Sequence, residues 1–148
     1  MYVFSLLFAC HKNTSSPFVM TDSIIQGMNA QDDTRILNFF PASTVIESLL
    51  DCGDDTEVFA KMEQAKDRIQ IKQQQYLDKL DSVTLISVAI TKMQNVQKGD
   101  KSNECTAQTN FQILQIQSKV QSVRDPAITE EIGFDFLYVK EKYYLFDM

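Results

Sequence analysis

The sequence predicts a mainly α-helical protein, with long coiled-coil helices and a small C-terminal β-hairpin that forms a reduced α+β head. Glycine and proline are scarce, with four and three in 148 residues, so little interrupts a long helix. Apolar residues between positions 56 and 98 recur at heptad spacing. After Pro126 the apolar spacing changes from about 3.6 residues to about 2, which indicates strands.

The first nineteen residues are predicted to be a doubtful or optional leader. The stretch MYVFSLLFAC is apolar but has no preceding Lys or Arg, and it falls short of the about 20 residues that span a bilayer. Residues 7–10 (LFAC) resemble a lipoprotein cleavage box, although the cysteine comes early and a charged leader is missing. The segment MTDSIIQGM, beginning at Met20, is typical of an ordinary cytosolic start.

Residues 20–53 are predicted to form short N-terminal helices. Pro41 suits the first turn of a helix through ASTVIESLL, which Gly53 would end. Asp54 and Glu57 then have the spacing of a capping box at the start of the next helix.

Residues 56–124 are predicted to be a coiled-coil region. The apolar residues at its a and d positions are Met62, Ala65, Ile69, Tyr76, Val83, Ile86, Ile90 and Met93. Lys72 and Lys79 occupy two d positions, so the seam is imperfect and needs a partner helix. A helix from Thr56 to Lys98 would be about 65 Å long, which exceeds the core of a compact domain of this size. The alternative is a four-helix bundle with one overlong helix.

The segment KGDKSNE breaks this region near residues 99–103. Gly99 can end one helix, and Ser102 or Asn103 can cap the next, which is expected over about residues 104–124. The break is either a hairpin turn that folds the later helix back or a stutter in a continuing rod, and the sequence leaves both open.

Residues 127–148 are predicted to form the β-hairpin head, with the strands FDFLYV and YYLF joined by KEK. Phe134, Phe136 and Tyr138 share one face, while Leu137 and Val139 make the other face apolar as well. An isolated two-stranded hairpin is marginally stable in water, so its own helices or another chain must cover it.

Charge and cysteine content narrow the class of protein. The net charge of −6 argues against nucleic acid or an anionic membrane as the partner, because both require a basic face. Cys10, Cys52 and Cys105 are far apart and form no CxxC pair. They predict free thiols in a reducing compartment rather than a disulfide framework or a zinc site.

No catalytic constellation is visible in the sequence. The single histidine, His11, lies in the leader. The acidic stretch DCGDDTE does not fit a calcium loop, because Thr56 stands where the loop needs glycine and Met62 where it needs a bidentate glutamate. We therefore predict a protein that is not an enzyme and has no cofactor, no metal and no small-molecule substrate.

A coiled coil followed by IGFDFLYVKEKYYLF resembles the inner subunits, with RWD-type heads, of the four-subunit outer-kinetochore complex that attaches chromosomes to microtubules. Residues 132–136 resemble the step into the first strand of that head, 140–142 its charged turn and 144–146 its second strand. The family's head continues with further strands and a helix. The resemblance implies a nuclear, chromosome-bound structural subunit that forms a heterodimer with a coiled-coil partner and links microtubule-binding subunits to the centromere.

Two sets of interface residues follow from this interpretation. The predicted coil interface consists of Ile69, Tyr76, Val83, Ile86 and Ile90. The predicted head interface consists of Phe134, Phe136, Tyr138, Tyr144 and Phe146. For each residue the alternative is a place in an intramolecular core. The alternative functions are a helical adaptor or tethering subunit of another complex, located in the cytoplasm, and a self-contained helical-bundle binding module.

Overall fold

A computed structural model describes residues 16–53, 55–102 and 104–148. The elements in chain order are α1 (Pro17–Asn29), α2 (Asp33–Leu37), α3 (Ser43–Leu49), β1 (Leu50–Cys52), α4 (Asp55–Leu80), β2 (Val83–Val96), β3 (Lys101–Ser102), β4 (Cys105–Ala107), β5 (Phe111–Ser122), β6 (Thr129–Val139) and β7 (Lys142–Asp147). About 38% of the structure is helical and about 40% is strand. The prediction of a mainly helical, coiled-coil protein is therefore wrong.

The strands form two antiparallel sheets. The larger sheet has the order β2-β5-β6-β7, and the smaller one has the order β1-β4-β3. The long helix predicted from residue 56 to 98 ends at Leu80, where Asp81 takes a positive φ of 67°. Its second half is β2, and the helix expected over residues 104–124 is instead β4 and β5. The break near 99–103 contains a turn, with Gly99 at a φ of 95°, followed by β3, while Asn103 lies outside the described residues.

Two β-bulges explain why β2 has the spacing of a helix. The register with β5 shifts between Leu85 and Ser87 and again between Ile90 and Lys92, so each bulge adds one residue to β2. The residues of β2 that pair with the alternating positions 122, 120, 118, 116 and 114 of β5 are Val83, Leu85, Val88, Ile90 and Met93. Val83, Ile90 and Met93 of this set fit the heptad positions, and the fourth heptad residue, Ile86, is the extra residue of the first bulge.

The alternation of buried and exposed residues in β5 is hard to recognise in the sequence for a different reason. Its buried alternating residues are Leu114, Ile116, Ser118, Val120 and Ser122. Two of them are serines, which satisfy their hydroxyls inside the protein. Ser118 Oγ donates to the carbonyl of Ile132 at 2.8 Å, and Ser122 Oγ donates to that of Leu80 at 3.1 Å. A polarity pattern therefore shows only three of the five residues on the buried face.

Helix α1 packs against β2, at one edge of the larger sheet. Ser16 caps it by accepting from the Val19 N–H at 3.2 Å, and Pro17 begins its first turn. The predicted leader therefore overlaps α1 at residues 17–19, while residues 1–15 lie outside the described residues. At the other end, the Asn29 side chain bonds both the N–H and the carbonyl of Val83, at 2.9 and 2.7 Å.

The interior consists of two clusters of buried apolar side chains. The first, which we call the α1 core, contains Met20, Ile24, Ile25, Met28, Ile36, Phe40, Ala65, Ile69, Leu80, Val83, Leu114, Ile116, Val120, Ile132, Phe134, Phe136, Leu145 and Met148. The second, the α3 core, contains Ile46, Leu49, Met62, Ala107, Phe111, Leu137 and Val139. Helix α4 and the larger sheet contribute side chains to both clusters, so the two clusters lie on either side of these elements.

Cys52 and Cys105 form a disulfide between β1 and β4. The prediction of free thiols is therefore wrong for these two residues, and Cys10 lies outside the described residues. The two cysteines are 53 positions apart in sequence but directly opposite each other in the strand register. The bond thus fixes the segment after α3 to the smaller sheet.

The C-terminal hairpin is present, but it is not a separate head. Strands β6 and β7 pair across a two-residue turn in which Lys140 and Glu141 have φ values of 48° and 63°, as the right-handed twist of a hairpin favours. β6 also pairs with β5 over ten residues, so the hairpin completes the larger sheet. Its apolar faces are covered by the protein's own helices.

Candidate functional site

A cavity of about 770 Å³ borders the α3 core. Its apolar walls come from α3 and α4 through Ile46, Leu49, Val58, Met62 and Ala65. The strands and their flanks add Leu50, Val96, Ala107, Phe111, Ile113, Leu137 and Phe146. The volume lies within the range of about 300–1,000 Å³ that is typical of small-molecule sites.

Local periodicity explains how α4 reaches this cavity. Val58, Met62 and Ala65 recur at spacings of three and four residues, which places them on one side of the helix. Arg68 follows at the same spacing and lines the cavity too. The helix therefore presents an apolar stripe that ends in a cation.

Alternation explains how β5 serves both clusters. Leu114 and Ile116 belong to the α1 core, whereas Phe111 and Ile113 contact the α3 core and line the cavity. Successive side chains of a strand point to opposite faces, so one face of β5 packs in the α1 core and the other helps to wall the cavity.

A β-bulge in β7 shapes one end of the cavity. Phe136 pairs with Leu145 and Asp135 pairs with Asp147, so Phe146 is the extra residue. Leu145 is buried in the α1 core, yet Asp147, two positions later, lines the cavity. Without the bulge these two residues would face the same way, because side chains alternate along a strand. The bulge thus brings Asp147 to the cavity, on the same side as Phe146.

Five charged side chains line the cavity: Lys61, Arg68, Asp100, Lys101 and Asp147. Arg68 Nη2 donates to Asp147 Oδ2 at 2.8 Å, and Lys61 lies 2.7 Å from Glu57 at an exposed position. Asp100 Oδ2 accepts from the Gln97 N–H at 2.8 Å. Among the lining side chains, cations thus exceed anions by one, although Lys61 is paired with Glu57 outside the lining and the whole chain carries a net charge of −6.

Asp135 and Asp147 form a carboxylate pair beside the cavity. They are directly opposite each other in the β6–β7 register, and both border a second, smaller cavity of about 340 Å³. Burial raises the pKa of Asp135, and the negative charge of Asp147 raises it further, while Lys72 and Lys92 act in the opposite direction. Like charges opposite each other repel, so the nearby cations offset a local electrostatic cost.

The predicted coil residues do not share a seam. Ile69 and Val83 are buried in the α1 core. Tyr76 is half-buried, its hydroxyl donates to the Glu131 carbonyl at 3.3 Å, and burial raises its pKa. Ile86 and Ile90 are 46% and 48% exposed on β2, an edge strand. A single helical interface through all five is excluded, because three of them lie on a strand.

The predicted head residues are mostly core residues. Phe134 and Phe136 are fully buried in the α1 core. Tyr138 stacks on Tyr143 with 4.5 Å between ring centroids, and Tyr144 packs against the α3 core. Phe146 is 38% exposed, and it is the one member of the ten predicted interface residues that lines the larger cavity.

Sequence reasoning missed Arg68 and Asp147, the charged pair at the cavity. The two residues are 79 positions apart and meet through the docking of α4 beside β7. No local sequence pattern predicts such a pair.

Comparisons with protein-family models, with curated proteins and with solved structures found no match to this chain. Within residues 16–53, 55–102 and 104–148, no cluster of His, Cys, Asp or Glu side chains could hold a metal ion. In the same part of the chain, no helix combines the length and apolar character needed to cross a membrane.

Proposed function

We propose that this protein is a non-catalytic binding module that takes up a small, largely apolar molecule in the cavity beside the α3 core. The cavity itself carries the proposal. Its walls are mostly apolar, and the exposed side chains of Lys61 and Arg68 show that it is partly open to solvent. Contact between apolar side chains and water is unfavourable. A partly open apolar space of about 770 Å³ is therefore typical of a site that a ligand covers.

The walls of the cavity support the same proposal. Apolar side chains from two helices and both sheets make most of the lining, and charged groups are few. Small-molecule sites have this composition, since apolar walls supply affinity and a few polar groups fix orientation. This proposal replaces the expectation that the protein has no small-molecule ligand, which rested on the absence of sequence motifs.

The disulfide supports a preformed site. Cys105 lines the cavity, and its bond to Cys52 ties β4 to β1, which directly follows α3. A wall that is covalently fixed loses less conformational entropy when a ligand binds. Disulfides persist in oxidising compartments, so this bond favours such a compartment over the predicted nucleus or cytoplasm as the place where the protein acts.

The resemblance to kinetochore subunits stays a prediction. It combined a coiled coil with the C-terminal hairpin, and only the hairpin has a counterpart in the fold. The alternative of a helical bundle is wrong about the fold, because about 40% of the structure is strand. Its proposal of a self-contained binding module agrees with the function proposed here. The prediction that the chain is not an enzyme is retained as part of the proposal.

A titration with Nile red, an uncharged dye whose fluorescence rises in apolar surroundings, tests the proposal on the full oxidised chain. We expect saturable binding of one dye per chain. Ala107→Leu, which places a larger side chain at a cavity wall, should weaken binding at least about tenfold, since it removes apolar space that the dye would fill. Ala89→Leu adds the same atoms at an exposed position of β2 and serves as the matched control.

Ala65→Leu provides a second filling variant on α4. Thermal unfolding of each variant shows whether it folds. Dye binding that does not saturate, or that is equally strong in wild type and both folded filling variants, would contradict the proposed function.

A further inference from the structure

We infer that the ligand carries a carboxylate and that Arg68 binds this group at the bulged end of the cavity. This inference rests on the proposed function, because it names the chemical class of the molecule that the cavity takes up. The ligand's apolar chain would lie along Met62, Phe111 and Leu137, and its head group would approach Phe146 and Arg68, all of which line the cavity.

The state of the Arg68 side chain supports this role. Its guanidinium has five N–H donors, and the bond to Asp147 Oδ2 is the one that it makes among the described residues. The side chain is 48% exposed, so its ion pair with Asp147 is reachable by a ligand and weakly held. A planar guanidinium can bind a carboxylate through two parallel hydrogen bonds, which suits it to capture such a head group.

Asp147 can release Arg68 without losing all its partners. Its Oδ1 accepts from the Met148 N–H at 2.8 Å, independently of the bond from Arg68 to Oδ2. The other anion of the cavity, Asp100, also accepts from a backbone N–H, that of Gln97. A ligand carboxylate that takes the place of Asp147 on Arg68 therefore leaves both protein carboxylates with a donor.

The charge balance favours an anionic ligand over a cationic one. An amine would have to bind Asp135 or Asp147, and three cations already surround that pair. Arg68 bonds Asp147, while Lys72 and Lys92 lie close enough to Asp135 to influence its pKa. The five groups together have an excess of one positive charge, and so do the five charged residues of the cavity lining. An added cation would increase this excess, whereas a carboxylate neutralises it.

Displacement of Nile red from the full oxidised chain tests the inference with three ligands of equal chain length. Decanoate, decanol and decylamine differ in the head group alone. We expect decanoate to displace the dye at about a tenfold lower concentration than decanol, as one charge-assisted hydrogen-bonded contact at a half-exposed site allows. Decylamine should displace it no better than decanol does.

Variants of the ion pair separate direct contact from the general electrostatic field. Arg68→Met should abolish the preference for decanoate and leave decanol unchanged. Asp147→Asn should strengthen decanoate binding several-fold, because the competing carboxylate is gone. The double variant Arg68→Met/Asp147→Asn has the same net charge as the wild type, and it should also lack the preference. Lys61→Met removes another cation of the lining and should keep the preference.

Four outcomes would overturn the inference: equal displacement by decanoate and decanol in the wild type, a preference for decylamine, a decanoate preference that persists in the double variant, or one that disappears with Lys61. Failure of the proposed function looks different, since then neither Nile red nor decanol binds saturably to the wild-type cavity.

Discussion

The α1 core and the α3 core share α4 and the larger sheet, yet the larger cavity is lined mainly by residues of the α3 core. The α1 core is covered by a thirteen-residue helix that inserts Met20, Ile24, Ile25 and Met28 over the strands. The α3 core is covered by a seven-residue helix and by strands of two or three residues. The difference therefore lies in the cover rather than in the sheet: a short cover supplies too few side chains to fill the space beneath it.

The largest expected effect on stability is in the α1 core. Phe136→Ala should lower the free energy of unfolding by about 3–5 kcal/mol, because it leaves a void among side chains that are already close-packed. Urea denaturation measures this loss. Phe146→Ala removes the same atoms at the partly exposed cavity wall and should cost less than half as much. Equal losses at the two positions would show that the cavity is closed and packed in solution.

The disulfide should come next. Cys52→Ser/Cys105→Ser should lower the free energy of unfolding by about 2–4 kcal/mol, as expected for a loop of 53 residues. The wild type should lose the same amount in dithiothreitol, and the double variant should not respond to it. Identical denaturation curves of the wild type with and without reductant would contradict the bond between β1 and β4.

A filling substitution should act in the opposite direction. Ala107→Leu should raise the free energy of unfolding by about 1 kcal/mol, because the new methyl and methylene groups occupy space that is now empty. The same change should weaken dye binding, so this substitution should raise the stability of the protein while it lowers the affinity for the dye. A loss above about 2 kcal/mol would instead mean that Ala107 is tightly enclosed, with no room on the cavity side.

The smallest expected effect concerns the carboxylate pair at the cavity's end. The pKa of Asp135 is raised above its ordinary value of 3.8, so the folded protein binds this proton more tightly than the unfolded chain does. Its stabilising contribution is complete below that value and is lost as the pH rises through the raised pKa.

Asp135→Asn removes the pH dependence of stability that the Asp135 carboxyl group causes. Relative to the wild type, the variant should become more stable as the pH is raised from about 3.5 to 7. Urea midpoints at several pH values measure the difference, and Asp67→Asn, at an exposed position of α4, controls for the loss of one carboxylate. A stability difference that is constant with pH would show that burial does not hold the Asp135 proton.

The sequence predicted the elements whose signals are local. The hairpin of β6 and β7 has an uninterrupted alternation and a short turn, and its pairing is confirmed. A helix after Pro41 is also present, although it ends at Leu49 rather than near Gly53. The N-terminal part of the predicted long helix is α4, in which the apolar residues do have the spacing of a helix.

The remaining features depend on information that one residue pattern does not contain. The bulges of β2 shift alternation into an apparent heptad, and the serines of β5 replace apolar residues on a buried face. The Cys52–Cys105 bond depends on a three-residue strand pairing that has no periodic signal. The candidate site was predicted least well, since Asp147 reaches the cavity through a single extra residue in β7.

The composition of the α1 core also governs how the protein can be made. Ile24 of α1 and Leu145 of β7 lie in the same cluster, 121 positions apart. At about 5–20 residues per second, the ribosome takes roughly 6 to 24 s to extend the chain from one to the other. Strand β2, on which α1 packs, is made partway through that interval, and β5, β6 and β7 follow it. Until β2 is made, α1 has little to hold it, because an isolated helix of thirteen residues is barely stable in water. We therefore expect α1 to become ordered only after β2 has been made, and the cluster to close only when β7 joins it.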